Sequence, residues 1–125
     1  MQKAEAKIRH FTDLFAWQKA HVLTLAVYRE TKGFPSDERF GLTSQMRRSA
    51  TSIKSNIAEG FGRQSNPDKI QFYVIARGSS TELQDQLLIA KDLGYISPDI
   101  CEKLTELTVT VNKIINGLIR SIRSS

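Results

Sequence analysis

Residues 40–63 read FGLTSQMRRSATSIKSNIAEGFGR, and the spacing of their apolar residues predicts an amphipathic helix. Placed on a helix at about 100° per residue, its apolar and small residues fall on one face. Such a face is typical of a helix that packs against a core. The predicted buried stripe comprises Leu42, Met46, Ser49, Ile53, Ile57 and Gly60.

A second stripe lies beside the apolar one and carries only hydrogen-bonding groups. Its residues recur every three or four positions within an arc roughly 80° wide. A solvated flank would tolerate a mixture of Lys, Glu and Ala, so this run of amide, guanidinium, hydroxyl and carboxylate groups indicates partners on another helix or another subunit. A face exposed to water is the alternative. The stripe comprises Gln45, Arg48, Ser52, Asn56 and Glu59.

The rest of the chain predicts three further helices. With 125 residues, of which 40% are hydrophobic, the chain fits one compact domain. Gly94 suits the end of a helix, and Ser97 with Pro98 suits the start of the next. We predict an all-α fold, an antiparallel up-down-up-down four-helix bundle over 12–125, after a flexible N-terminal arm at 1–11. The predicted helices cover about 13–32, 42–60, 67–93 and 98–122.

The first predicted helix has an apolar line at helical spacing, and Thr12 or Asp13 suits its N-cap. We expect this line to face the core, together with Ala20, Leu23 and Val27. The line comprises Leu14, Trp17, His21, Leu25 and Tyr28.

The third predicted helix has more apolar surface than one core requires. Its second line lies on a face that an isolated bundle would leave in water, which indicates a contact between subunits. The line comprises Ile75, Gly78, Glu82, Ile89 and Leu93.

The polar stripe has candidate partners on the third helix. If the second and third helices are antiparallel about a turn near Arg63, Arg48 lies opposite Ser79 and Gln45 lies opposite Glu82. This register favours an ion pair between Arg48 and Glu82, with hydrogen bonds from Ser79 and Gln45. Such buried polar groups can also serve only to fix helix register and bundle identity. The predicted polar network comprises Gln45, Arg48, Ser52, Asn56, Glu59, Ser79 and Glu82.

The positive charge is concentrated in one segment. The chain has a net charge of +5, and residues 39–77 hold seven basic residues against two acidic ones, which accounts for the whole excess. A positive potential on the second helix and the start of the third would attract a polyanion such as RNA. We expect Arg48 to be internal. The candidate nucleic-acid contacts are Arg47, Lys54, Arg63, Lys69 and Arg77.

Aromatic side chains that could stack on bases are scarce in the basic segment. The candidates are Phe61, Phe72 and Tyr73. If RNA is bound, we therefore expect recognition of its shape or backbone rather than of its bases.

Catalytic and metal-binding patterns are missing from the sequence. His10 and His21 are isolated, no HExxH, CxxC or EF-hand spacing occurs, and the glycines at 60 and 62 lack the Lys-Ser/Thr of a P-loop. We expect no enzyme activity, no cofactor, no metal and no small-molecule substrate. No apolar run is long enough to span a membrane, no secretory signal is present, and Cys101 is unpaired, so we expect a cytoplasmic location without membrane contact.

The stretch at 41–63 also carries a resemblance to a known family. Together with ARGSSTEL at 76–83, DLGYIS at 92–97 and DLFAWQKA at 13–20, it closely resembles the four-helix-bundle proteins encoded in 23S rRNA intervening sequences. Members are also called S23 ribosomal proteins. The resemblance implies a bacterial bundle that assembles into rings, commonly homopentamers. Such proteins are similar to the accessory protein of diversity-generating retroelements, which is associated with nucleic acid and a reverse transcriptase.

Two functional hypotheses follow from the charge and this resemblance. The first is a homo-oligomeric bundle that presents a basic surface to RNA or to an RNA-handling partner. The second is a structural or protein-binding module without a nucleic-acid role. They differ in salt dependence, because phosphate contacts weaken steeply as salt rises whereas apolar interfaces do not.

Overall fold

The computed structural model describes residues 7–124, and this part of the chain contains four long helices and no strand. The all-α prediction is confirmed. Of the predicted N-terminal arm, residues 1–6 lie outside the described residues, and residues 7–10 are exposed to solvent. The helices are α1 (Phe15–Thr31), α2 (Leu42–Gly62), α3 (Asn66–Asp92) and α4 (Pro98–Arg123), with short 3-10 helices at Phe11–Asp13 and Ser36–Glu38.

The four helices pack side by side. Helix α2 lies between α1 and α3, and α4 contacts both α3 and α1. In each consecutive pair the contacting residue number falls on one helix as it rises on the other, which is the pattern of antiparallel neighbours. Hydrogen bonds join Thr24 to Ala50 and Arg47 to Thr31 across α1 and α2, and Arg77 to Asn116 and Ser80 to Thr108 across α3 and α4.

The helix ends follow local capping chemistry. The hydroxyl of Ser97 accepts a hydrogen bond from the amide of Ile100 at 3.1 Å, as its predicted capping role requires. Gly94, with a φ of 78°, follows α3 in the left-handed conformation that glycine adopts without steric cost. The cap predicted for α1 is wrong: its N-cap is Leu14, and Asp13 instead accepts backbone hydrogen bonds from residues 9 and 10.

The stripe predicted from α2 forms the centre of the core, and all six of its residues are buried. The stripe predicted for α1 is partly wrong, because Leu25 and Tyr28 are 51% and 41% exposed. The predicted burial of Ala20, Leu23 and Val27 is confirmed, and Ala16 is also fully buried. The buried face of α1 therefore runs through these four residues, and Leu25 and Tyr28 lie outside it.

Candidate nucleic-acid interface

Part of the polar stripe of α2 joins α2 to α3. The hydroxyls of Ser52 and Ser79 are 2.8 Å apart. Asn56 Nδ2 donates to the carbonyl oxygen of Ser52 at 2.8 Å and to its hydroxyl at 3.0 Å. This short chain of hydrogen bonds ties the middle of α2 to α3, as expected of groups that fix register.

The predicted ion pair between Arg48 and Glu82 is wrong. Within residues 7–124 the ion pairs are Glu59 with Arg63 and Lys91 with Asp92. Arg48 and Glu82 are exposed and line a small cavity with Gln45, Ser49 and Ser52 without a hydrogen bond between them.

The helix register also differs from the predicted one. The sequence placed Arg48 opposite Ser79, whereas Ser52, four residues further along, is the residue that meets Ser79. Four residues are about one helical turn. The observed register therefore brings Arg48 close to Glu82, in agreement with the cavity that both line, but the two side chains form no ion pair. The expectation that Arg48 is internal is wrong, and its side chain is exposed.

Several candidate contact residues already have partners within the chain. Arg47 Nε donates to Thr31 Oγ1 at 2.8 Å, and its guanidinium lies 4.7 Å from the centre of the Tyr28 ring. Arg77 donates to Asn116 Oδ1 on α4 at 2.8 Å. Both arginines are half-buried by these contacts, and part of each side chain remains exposed to solvent.

Lys54 lies in a cluster on the side of α2 that faces α1. Its Nζ is 2.6 Å from His21 Nδ1 and 4.8 Å from the centre of the Trp17 ring, which stacks on His21. Burial lowers the pKa of the Lys54 amine, because removal from water disfavours the charged form. His21 is thus a packed side chain with a hydrogen bond.

Lys69 and Arg63 lie at the junction of α2 and α3. Lys69 Nζ donates to the carbonyl oxygen of Phe61 at 2.7 Å, where the negative end of the α2 dipole favours a cation. Arg63 pairs with Glu59 at 3.0 Å and covers the ring of Phe72. Of the five candidate contacts, Arg63 is exposed and the other four are half-buried.

A groove along the outer face of α2 is lined by basic and hydroxyl side chains that the sequence analysis did not group. It is open to solvent and has a volume of about 710 Å³. Three of its residues are arginines and none is acidic. We call it the arginine groove; it is lined by Tyr28, Arg39, Phe40, Thr43, Ser44, Arg47, Arg48, Thr51, Ser52, Ser55 and Asn56.

The free cations of the groove are Arg39 and Arg48. Neither side chain has a hydrogen bond or an ion pair to another described residue, although the Arg39 guanidinium lies 5.3 Å from the centre of the Phe40 ring. A signal for this groove existed in the sequence, because Ser44, Thr51 and Ser55 recur at helical spacing next to the arginines.

Residues 7–124 contain no group of three or more His, Cys, Asp or Glu side chains placed to hold a metal ion. No described helix combines the length and the apolar character needed to cross a membrane.

Comparison with known proteins shows the family of the chain. The family described as 23S rRNA-intervening sequence protein matches residues 12–117. The chain belongs to this family. The resemblance inferred from the stretches at 41–63 and 76–83 is thereby confirmed.

A solved structure supports the fold of this 23S rRNA-intervening sequence family member. It is a protein with unknown function from the S23 ribosomal protein family of Bacteroides thetaiotaomicron, with 24% sequence identity and a TM-score of 0.78. The match covers 84% of this chain and 95% of the other. No curated protein matches the chain.

Proposed function

We propose that this protein is a non-enzymatic, homo-oligomeric helical bundle that binds RNA through the arginine groove. The observation that carries the proposal is the composition of that groove: three guanidinium groups, five hydroxyl side chains of serine and threonine, and no carboxylate among its lining residues. Guanidinium and hydroxyl groups are the side chains that most often contact phosphate and sugar.

The two free arginines give the groove its binding capacity. Neither Arg39 nor Arg48 forms an ion pair within residues 7–124, so a phosphate would gain charge-assisted hydrogen bonds without displacing an internal partner. Glu82, which lines a small cavity together with Arg48, would offset part of this attraction. Arg47, held by Thr31, adds a positioned charge next to Arg48 in the sequence. Binding through these groups would read the backbone and depend strongly on salt.

Self-association belongs to the same proposal. On α3, Ile75, Ile89 and Leu93 are 44%, 42% and 56% exposed, which leaves an apolar line on the outside of a single bundle. Covering such a line with another copy would remove it from water. Copies in a ring, with the pentamer as our expectation, would add their positive potentials.

The second candidate is a protein-binding module without an RNA role. The exposed apolar line on α3 favours it, because that line would suit a different protein as well as a second copy. Salt dependence separates the two, since an apolar contact does not weaken as salt rises.

The direct test is RNA binding by the purified protein over a range of salt, measured by fluorescence anisotropy. Arg39→Gln and Arg48→Gln should each weaken binding and lower the slope of log K against log salt by about 0.7 for a single strand. Arg120, an exposed residue of α4, provides the matched control. Arg120→Gln should leave both the affinity and the salt slope unchanged. Binding that is absent, or insensitive to both groove substitutions, would contradict the proposal.

A further inference from the structure

We infer that the arginine groove selects single-stranded RNA over duplex RNA, because Phe40 offers a stacking surface for an unpaired base. This inference rests on the proposed RNA-binding function and adds the class of RNA. It comes from the position of one side chain that sequence reasoning did not single out for stacking.

Phe40 is unusually open to solvent for a large apolar residue. Its side chain is 88% exposed, and it lies in the turn between the 3-10 helix Ser36–Glu38 and α2. Within the groove it is neighboured by Arg39, whose guanidinium stands over the ring at 5.3 Å. An exposed ring beside guanidinium groups is the arrangement by which proteins hold single-stranded nucleic acid.

The other aromatic rings of the basic segment are less open to solvent than Phe40, and Phe61 and Phe72 are half-buried beneath cations. Lys69 Nζ lies 5.6 Å from the ring centre of Phe61, and the Arg63 guanidinium lies 4.5 Å from that of Phe72. Tyr73 is only 3% exposed. Of the aromatic residues between 39 and 77, Phe40 therefore has the ring surface that a base can reach.

The shape of duplex RNA disfavours the same contact. In an A-form helix the bases are stacked on each other, and the major groove is too narrow for side chains to read. A base in a single strand can instead turn out and stack on an aromatic ring. Its neighbouring phosphates would then follow α2 past Ser44, Arg48 and Ser55, and Ser44 and Ser55 are roughly 17 Å apart at 1.5 Å per residue.

The test compares three RNA probes of equal strand length, each about 12 nucleotides per strand. The probes are a single strand, its duplex and a strand in which the central bases are removed. Phe40→Leu, which keeps apolar bulk but removes the ring, should weaken single-strand binding by roughly 5- to 100-fold. The same variant should leave binding of the duplex and of the base-free strand unchanged. Phe40→Trp should retain single-strand affinity.

Phe15→Leu is the matched control, since Phe15 is 58% exposed on α1 and does not line the groove. It should leave all three affinities unchanged. Tighter binding of the duplex, or an unchanged single-strand affinity in Phe40→Leu, would overturn the inference while leaving RNA binding itself intact. If Phe40→Leu changes the mass of the native assembly without changing the affinity for the single strand, Phe40 is a subunit contact and the inference is overturned. Failure of the wild type to bind any probe would instead remove the proposed function.

Discussion

Gly60 lies where α2 crosses α3, and a Cβ atom added there would stand 2.6 Å from Cε1 of Tyr73 and 3.2 Å from the carbonyl oxygen of Lys69. The sequence predicted the end of this helix at about residue 60, and α2 ends at Gly62. The missing side chain of Gly60 allows a buried aromatic ring to lie against the helix backbone. This packing also contributes to the helix register that the sequence could not supply.

Gly60→Ala should therefore destabilise the protein by about 1–3 kcal/mol through overpacking, despite the better helix propensity of alanine. Urea unfolding monitored by circular dichroism measures the change. Gly62→Ala is the matched control in the same helix, where an added Cβ meets nothing within 4 Å. It should be neutral or stabilise by up to about 1 kcal/mol. Equal effects of the two substitutions would argue against a close contact at Gly60.

Individual helices were easier to predict than the contacts between them. The buried face of α2 follows from its sequence because one side is apolar and the other is polar throughout. In α1, large apolar residues surround most of the helix, so periodicity cannot distinguish buried Leu23 from exposed Leu25. The state of each arginine was harder still, because it depends on which side chain of the next helix lies opposite.

The connections at one end of the bundle are joined by an ionisable pair. Tyr95, before α4, donates its hydroxyl hydrogen to Glu38 Oε2 at 2.8 Å, while Glu38 Oε1 accepts the amide of Leu42 at 3.1 Å. The Leu42 amide and then the Tyr95 hydroxyl lower the pKa of the Glu38 carboxyl below its ordinary value of 4.5. The ionised carboxylate is thus favoured in the folded state.

Glu38 makes the stability of the fold depend on pH. Because the folded pKa of Glu38 is depressed, its contribution to stability is present above the unfolded pKa and is lost as pH falls through the folded pKa. Glu38→Gln should be less stable than the wild type at neutral pH, and the difference should shrink on acidification from about pH 5 to pH 3. Urea midpoints at several pH values measure this, with exposed Glu102→Gln as the control. A difference that stays constant with pH would contradict this role for Glu38.

The arginine groove lies along α2 and the exposed apolar line lies along α3. The two surfaces adjoin, because Glu82 of the line borders a small cavity with Arg48 and Ser52 of the groove. Ile89 lines neither the groove nor that cavity, so a substitution there can separate assembly from RNA binding. In an assembly, several grooves would act on one RNA, and the effective concentration of each further groove would raise the total affinity without a new contact.

Ile89→Asp should therefore reduce the native mass of the protein, because it places a charge in the proposed subunit contact. It should also weaken binding of a long RNA that spans several grooves, while leaving the affinity for a short strand that fills one groove unchanged. Val109→Asp, at a similarly exposed apolar position on α4, is the control and should alter neither quantity. Native mass spectrometry with anisotropy on both RNA lengths measures the two effects. A wild-type protein that is monomeric, or an Ile89→Asp assembly of unchanged mass, would show that the α3 line does not join copies of this chain.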